Sequence, residues 1–334
     1  VSTVYTNTGN QNDLDRIMRL TRAVLNTPNL SQNFKKSEID IVKREVYFKE
    51  RNAPSRWLNR LALQKLYGSK FGRAETPVSD LNKLTVNAAM DFHHKHYTPS
   101  NSILIISGNI NESLAQKKLS QYFGDTIKTK RIEDKWLKQR PNKGLESITK
   151  ISTNRLMDDQ LSFAKFFRFN DLSDILGMQA SFFIASDIYN SHLNNVLYLD
   201  GNTAQSFSQS SYIAVNGDIE YTASLIPFEG ITLEEAYENL KIAIKNLESI
   251  SITHKEIETA RSKNVAYTKS LSQSPRAYLD FFQNLGSDGL PPVSPTEFSR
   301  MIARAPVEDI LKIISAFAAD SPSAVILAKL DSQL

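Results

Sequence analysis

Lys36-Ser37-Glu38-Ile39-Asp40-Ile41-Val42-Lys43-Arg44-Glu45-Val46-Tyr47-Phe48-Lys49-Glu50 reads as one helix, and its near-repeat later in the chain sets the architecture. Glu38 and Glu45 are seven residues apart, about two turns at roughly 3.6 residues per turn, so both carboxylates lie on nearly the same face. Ile41, Val42 and Val46 lie elsewhere on the wheel and are expected to face a core, leaving the acidic face to a cleft. The stretch Glu256-Ile257-Glu258-Thr259-Ala260-Arg261-Ser262-Lys263-Asn264-Val265-Ala266-Tyr267 follows the same plan. Glu256 takes the place of Glu38, Ile257 that of Ile39, and each helix runs towards a proline, Pro54 or Pro275.

The likeness extends both ways. Asp13-Leu14 opens a helix upstream of the first copy and Thr232-Leu233 opens one upstream of the second. Downstream, Phe92 and Ile310 occupy matching helices, and each leads to a short apolar strand, Ile103 to Ile106 or Ala324 to Leu327. Such self-similarity is the mark of a duplicated unit. The place of Glu45 is taken by Lys263, and a protonated ammonium has no lone pair for a cation. Only the first copy is therefore a candidate to hold a metal there.

The 334 residues, 41% of them hydrophobic, suffice for two cores of ordinary size. The expected division is a first domain over 1–125, a charged linker over 126–149 and a second, non-metal-binding domain over 150–334. The net charge of +4 comes from one place: between Lys128 and Lys143 seven basic residues face only Glu133 and Asp134. The remainder is near neutral, which argues against a nucleic-acid surface. Absence of cysteine excludes disulfides, thiolate zinc sites and cysteine nucleophiles. No apolar run approaches the roughly 20 residues of a membrane-spanning helix.

Taken in order, residues 1 to 8 have strand character and Leu14 to Leu25 carry helical periodicity. A helix over Trp57 to Leu66 stops at Tyr67-Gly68, Gly72 to Asp80 reads as a loop, and Thr85 to Tyr97 as a helix. His93 and His96 in that helix have metal-ligand spacing; the competing reading is a half-buried, hydrogen-bonded histidine at a helix end, and no acidic ligand lies nearby. A short helix closes at Tyr122-Phe123-Gly124. Beyond the linker, Leu161, Phe163, Lys165 and Phe167 alternate as a strand, and Leu172 to Tyr189 reads as a buried helix. Asn216-Gly217 is the turn of a hairpin joining Phe207–Ala214 to Ile219–Ile226. Thr232 with Glu235 forms a capping box ahead of the stripe Leu233, Tyr237, Leu240, Ile244 and Leu247. Strands followed by helices give an α+β class: two homologous domains, each a mostly antiparallel sheet with helices on one side. Lys150 to Ile219 has no counterpart in the first copy, which leads to the expectation that a front segment naturally precedes Val1.

The chain resembles the insulinase and mitochondrial-processing-peptidase class of zinc metallopeptidases (pitrilysin-like, or inverzincin; peptidase M16) over essentially its whole length. The resemblance rests on the Glu38 to Glu45 spacing, on Phe92-His93-His94-Lys95-His96-Tyr97-Thr98-Pro99-Ser100-Asn101 leading into Leu104-Ile105-Ile106-Ser107-Gly108-Asn109, and on Tyr122-Phe123-Gly124. It implies a zinc-dependent endopeptidase acting on extended polypeptides inside a two-halved chamber, as a homodimer or as a heterodimer with a homologous subunit. It implies Glu45 as third zinc ligand and Glu38 as a supporting acidic residue. The two histidines and the general-base glutamate belong to an H-x-x-E-H helix, a motif that does not occur in these 334 residues. The expectation is that it precedes Val1 and that this chain alone lacks zinc and activity. The arginine and tyrosine that active members carry for substrate binding are replaced by Tyr198 and Gln205, which suits the zinc-holding subunit of a heterodimer. The alternative is a non-catalytic partner or scaffold subunit. A composition rich in Lys, Asn, Ile and Ser reads as bacterial, and with the lack of cysteine it gives a periplasmic address as the working expectation.

Overall fold

A computed structural model of the chain describes residues 3–26, 28, 30–68, 78–125, 141, 146–168, 174–214, 217–287 and 289–331. It is an α+β protein that divides into two compact units. The helices are α1 (Leu14–Ala23), α2 (Gln32–Asn52), α3 (Pro54–Tyr67), α4 (Val78–Leu81), α5 (Val86–His96) and α6 (Glu112–Phe123) in the first part of the chain. Strands β1 (Glu146–Thr153) and β2 (Gln160–Arg168), helix α7 (Ile175–Asn194) and strands β3 (Ala204–Ile213) and β4 (Asp218–Pro227) follow. Helices α8 (Leu233–Asn246), α9 (His254–Ser270), α10 (Pro275–Ser287), α11 (Pro295–Arg304) and α12 (Val307–Ala318) lead to β5 (Ser323–Leu330). The run α8-α9-α10-α11-α12 repeats the order α1-α2-α3-α4-α5.

One unit contains α1, α2 as far as Arg44, α4 to α6 and α10; the other contains the rest of α2 from Glu45, α3, the whole sheet and α7, α8, α9, α11 and α12. The helix after the long helix of each copy is therefore grouped with the opposite unit: α3 with the sheet, α10 with α5 and α6.

In the first unit α1 and α6 are tied by polar contacts. Asp15 accepts from Lys118 (2.5 Å) and from the Tyr122 hydroxyl (2.8 Å), and Arg22 donates to the Tyr122 carbonyl and to Asp125. Those donors hold the Asp15 carboxyl below its usual range, the lysine first and the phenol second. Residues 3–8 and Ile103–Ile106, both expected as strands, join no ladder among the described residues. A strand needs a hydrogen-bonded neighbour, and with none Ile103 stays 64% exposed. Within the expected loop Gly72 to Asp80, residues 72–77 lie outside the described ones and Val78 to Asp80 already begin α4. Of the expected linker 126–149, residues 126–140 and 142–145 lie outside them, while 146–149 are already the start of β1; Val215 and Asn216 of the β3–β4 turn also lie outside them.

The sheet of the second unit has the order β1-β5-β2-β4-β3, with β1 parallel to β5 and every other pair antiparallel. The expected hairpin is present, Ile213 pairing with Ile219. Side chains alternate across β2, and both of its faces are covered. Leu161, Phe163 and Phe167 point to the layer of α7, α8 and α12, where Phe317 stacks on Tyr189, meets Tyr221 edge-on and is tilted to Phe167. The other face is closed by the single helix α3. Its Leu58, Ala62 and Leu66 are buried on Ala164, Phe166, Ala324, Ile326 and Ala328. Pro54 at the first turn suits a helix start, and Gly68 ends the helix at φ +85°, a conformation that favours glycine.

A polar contact sits inside that apolar seam. Asn59 Oδ1 accepts hydrogen bonds from Ser162 Oγ and, at 3.0 Å, from Ser224 Oγ. Both serines are buried, at 0% and 4% exposure, so losing their acceptor strands two hydroxyls away from water. Asn59→Ala is expected to lower stability by about 1–3 kcal/mol in urea denaturation. Adding Ser162→Ala and Ser224→Ala should recover part of that loss; a triple variant no better than the single one would refute the account.

On the opposite side, α9 and α11 pack against α7. Arg261 donates through Nη1 to the carbonyls of Ile302, Ala303 and Ala305, satisfying acceptors left open at the end of α11. The Thr232–Glu235 capping box is present, with Glu235 N donating to Thr232 Oγ1 and Thr232 N to Glu235 Oε2. Leu233, Tyr237, Leu240, Ile244 and Leu247 behind it are all buried.

Candidate functional site

The residues chosen from sequence lie on α2. It is one continuous helix, so Glu38 and Glu45 share a face and stand about 10 Å apart along its axis. Both are exposed.

The rest of the stripe differs from expectation. Ile41 (47% exposed), Val42 (36%) and Phe48 (70%) remain accessible, while Ile39 and Val46 are half-buried. On the helical wheel Ile41 and Val42 flank Glu38 and Glu45 rather than oppose them, so a surface that exposes the acids exposes these too. The face is mixed acidic and apolar.

The second copy uses the equivalent positions structurally. Glu256 accepts from Thr253 N (2.7 Å) and Thr253 Oγ1 (2.6 Å), capping α9, and faces His192 Nε2 at 2.9 Å. Its carboxyl is held below the usual range, by the Thr253 hydroxyl first and with a smaller part from His192. Lys263 pairs with Asp187 of α7.

The histidines of α5 follow the structural alternative. His93 Nε2 donates to the Val24 carbonyl at 2.9 Å, and its ring stacks on Tyr97 at 4.4 Å. His96 stacks on Phe92 at 4.3 Å. Among the described residues no group of three or more His, Asp or Glu is placed to hold a metal ion.

A second feature, not foreseen from sequence, is an open groove of about 430 Å³ at one end of the sheet. It is lined by Asp158, Asp159, Gln205, Phe228 and Glu229 among others. Asp159 is engaged by the Leu330 amide at 2.8 Å. Gln205 is on this wall. Tyr198 is 41% exposed on the π-helical turn Asn195–Leu199 that ends α7. That turn closes against Gly201, where a Cβ would fall 1.5 Å from the Val196 carbonyl oxygen, so glycine is required. No sequence signal could have joined these residues, since they come from the β1–β2 loop, the start of β3 and the turn after β4.

The profile of the family described as "Peptidase M16 inactive domain" matches residues 83–264, more than half of the chain. The chain therefore belongs to the M16 peptidase family. The matched segment runs from just before α5 into α9.

Solved structures agree on the fold. A protease from Helicobacter pylori aligns at TM-score 0.72 and 16% identity, over 96% of this chain and 78% of that one. The periplasmic protease PqqL from Escherichia coli aligns at TM-score 0.72 and 12% identity, over 96% of this chain but 36% of PqqL. A peptidase M16 inactive domain from Pseudomonas fluorescens aligns at TM-score 0.73 and 14% identity, over 96% and 76%. At such identities the likeness establishes the fold alone. No curated protein matches the chain. No helix among the described residues is long and apolar enough to cross a membrane.

Proposed function

We propose that the chain serves the hydrolysis of extended polypeptides as part of an M16-type zinc endopeptidase, offering Glu45 as one zinc ligand with Glu38 supporting it. By itself it hydrolyses no peptide bond. The observation that carries this reading is the solvent-exposed Glu38–Glu45 face of α2, whose counterparts in the second copy are a helix cap and a lysine salt bridge. Zinc, when bound in such a site, would acidify a water and polarise the peptide carbonyl. This chain's residues would orient it through Glu45; the histidines and general base are not among the 334. The assembly is a pair of homologous halves, and a periplasmic setting is part of the same proposal.

Metal analysis and cleavage of an unstructured peptide test this. The 334-residue chain should purify without stoichiometric zinc and leave the peptide intact, while Glu45→Gln in the complete native assembly should lower zinc content and abolish cleavage. Zinc content unchanged by Glu45→Gln would instead support the second reading, a non-catalytic partner subunit. That alternative is favoured by the absence of H-x-x-E-H and by the match to an inactive-domain profile.

A further inference from the structure

β1 is an edge of the sheet, and its outer side carries no strand among the described residues. The backbone shows which groups face that open side. Asp331 N donates to the Thr153 carbonyl at 3.0 Å, so Thr153 turns its polar backbone groups towards β5. Alternation along the strand gives Ser147, Thr149 and Ile151 the same direction. Glu146, Ile148, Lys150 and Ser152 therefore hold their amides and carbonyls outward. β1 has no proline and no register break against β5, so this outward row is regular. Such a row is a template for another strand.

The side chains of the same residues select the partner. They project on the α8 side, where Glu146 accepts from the Tyr237 hydroxyl at 2.8 Å and Lys150 Nζ lies 2.6 Å from Glu234. Both charged side chains remain accessible despite these contacts, and Ile148 between them is 53% exposed. The pattern Glu146-x-Ile148-x-Lys150 is complementary to itself when reversed. In an antiparallel pair of such strands centred on Ile148, Glu146 stands opposite Lys150, Ile148 opposite Ile148 and Lys150 opposite Glu146. All three pairs use outward-facing residues, so each can exchange two backbone hydrogen bonds. Opposite charges meet at both ends, and the isoleucines cover each other in the middle. A shift of two residues in either direction loses both charge pairs, and a shift of one sets inward-facing residues against outward-facing ones. The other edge offers nothing comparable: β3 has no charged residue and opens with an irregularity between Ala204 and Ser206.

We propose that β1 is a self-association edge, pairing antiparallel with β1 of a second copy of this chain about a two-fold axis at Ile148. The contact is isologous, so each charge pair occurs twice. It joins the sheets of both copies into one. It involves neither Glu45 nor any metal, so its failure would leave the reading of that residue untouched.

Sedimentation equilibrium of the full chain across the micromolar range tests it. The parent should show a monomer–dimer equilibrium. Glu146→Lys and Lys150→Glu each set like charges opposite one another at both ends of the pair, so either variant alone should associate about tenfold more weakly or worse. Mixed in equal amounts, the two variants should dimerise again, because the lysines of one then face the glutamates of the other. Mixing cannot repair damage to either fold. Ile148→Pro removes a central outward amide and leaves the β1–β5 ladder intact, so it should abolish the dimer with the circular dichroism unchanged. A monomeric parent would overturn the proposal and leave the edge to an extended segment of a different protein. A parent dimer that both reversals leave unchanged, or a mixture that associates no more tightly than its components, would overturn it as well.

Discussion

Phe317→Ala is expected to cost about 3–5 kcal/mol of unfolding free energy, the range for large-to-small changes at a buried phenylalanine. The ring is fully buried on α12, stacked on Tyr189 at 4.2 Å, edge-on to Tyr221 at 4.9 Å and tilted to Phe167 at 5.5 Å. Removal leaves a cavity that its neighbours cannot fill without breaking their own hydrogen bonds. Tyr189 donates to Ser211 Oγ at 2.6 Å, and Tyr221 to Gln209 Oε1 at 2.8 Å. Aromatic pairing adds about 0.5–1.5 kcal/mol per pair beyond area, so Phe317→Leu should recover only part of the loss. Against a typical total of about 5–15 kcal/mol, this one substitution approaches the limit of stability. The check is the urea midpoint at unchanged m-value, with Phe92→Ala as control. Phe92 is 57% exposed, and its loss should stay within about 0.5 kcal/mol. A midpoint for Phe317→Ala no lower than that of the control would refute the assignment of the core.

The aromatic cluster illustrates what the sequence could and could not disclose. The α8 stripe and its capping box, the stop of α3 at Gly68 and the hairpin around Gly217 are local patterns, and the structure has them where their chemistry places them. The duplication was legible because identical element orders leave similar spacings. Partner choice was not. The amphipathic pattern of α3 says that one face must be buried but is silent on the surface that receives it. Likewise the alternation of Leu161, Phe163, Lys165 and Phe167 reads as a half-buried strand, whereas Ser162 and Ala164 on the other side are buried too. A serine is compatible with solvent or with an acceptor brought from elsewhere, and Asn59 is that acceptor, 103 residues away. At the candidate site, the spacing of Glu38 and Glu45 fixed their shared face. It could not fix what covers Ile41 and Val42, because that depends on contacts beyond the helix. The His93 spacing was compatible with a metal, and only its placement against the Val24 carbonyl resolved it.

The lysine of that strand supports the second large effect. Lys165 is 6% exposed, donates from Nζ to the Ala319 carbonyl at 2.8 Å, and lies on the face covered by α7 and α12. Ala319 follows the last turn of α12, so the ammonium caps a helix end where the dipole favours positive charge. Burial nonetheless disfavours that charge and, only partly offset by Asp320, pushes the Lys165 pKa down to about 8 from 10.5. Between these values the unfolded chain binds more protons than the folded one, so stability should rise with pH across that window. The shift amounts to about 3 kcal/mol in total, taken at 1.36 kcal/mol per pKa unit as an order of magnitude. Buried tyrosines oppose the trend at higher pH: burial raises the phenols of Tyr189 and Tyr221, so their contribution falls once the unfolded tyrosines ionise. The informative quantity is therefore the difference between the parent and Lys165→Met, measured by urea denaturation from pH 7 to pH 9.5. Methionine keeps the stem and abolishes the titration. It gives up one hydrogen bond, worth about 1 kcal/mol. Lys165→Met should thus match or exceed the parent at pH 7, and its advantage should shrink steadily as the parent's lysine loses its proton. A difference that stays constant over the whole range would mean that Lys165 carries an ordinary, hydrated charge and that water reaches the end of α12.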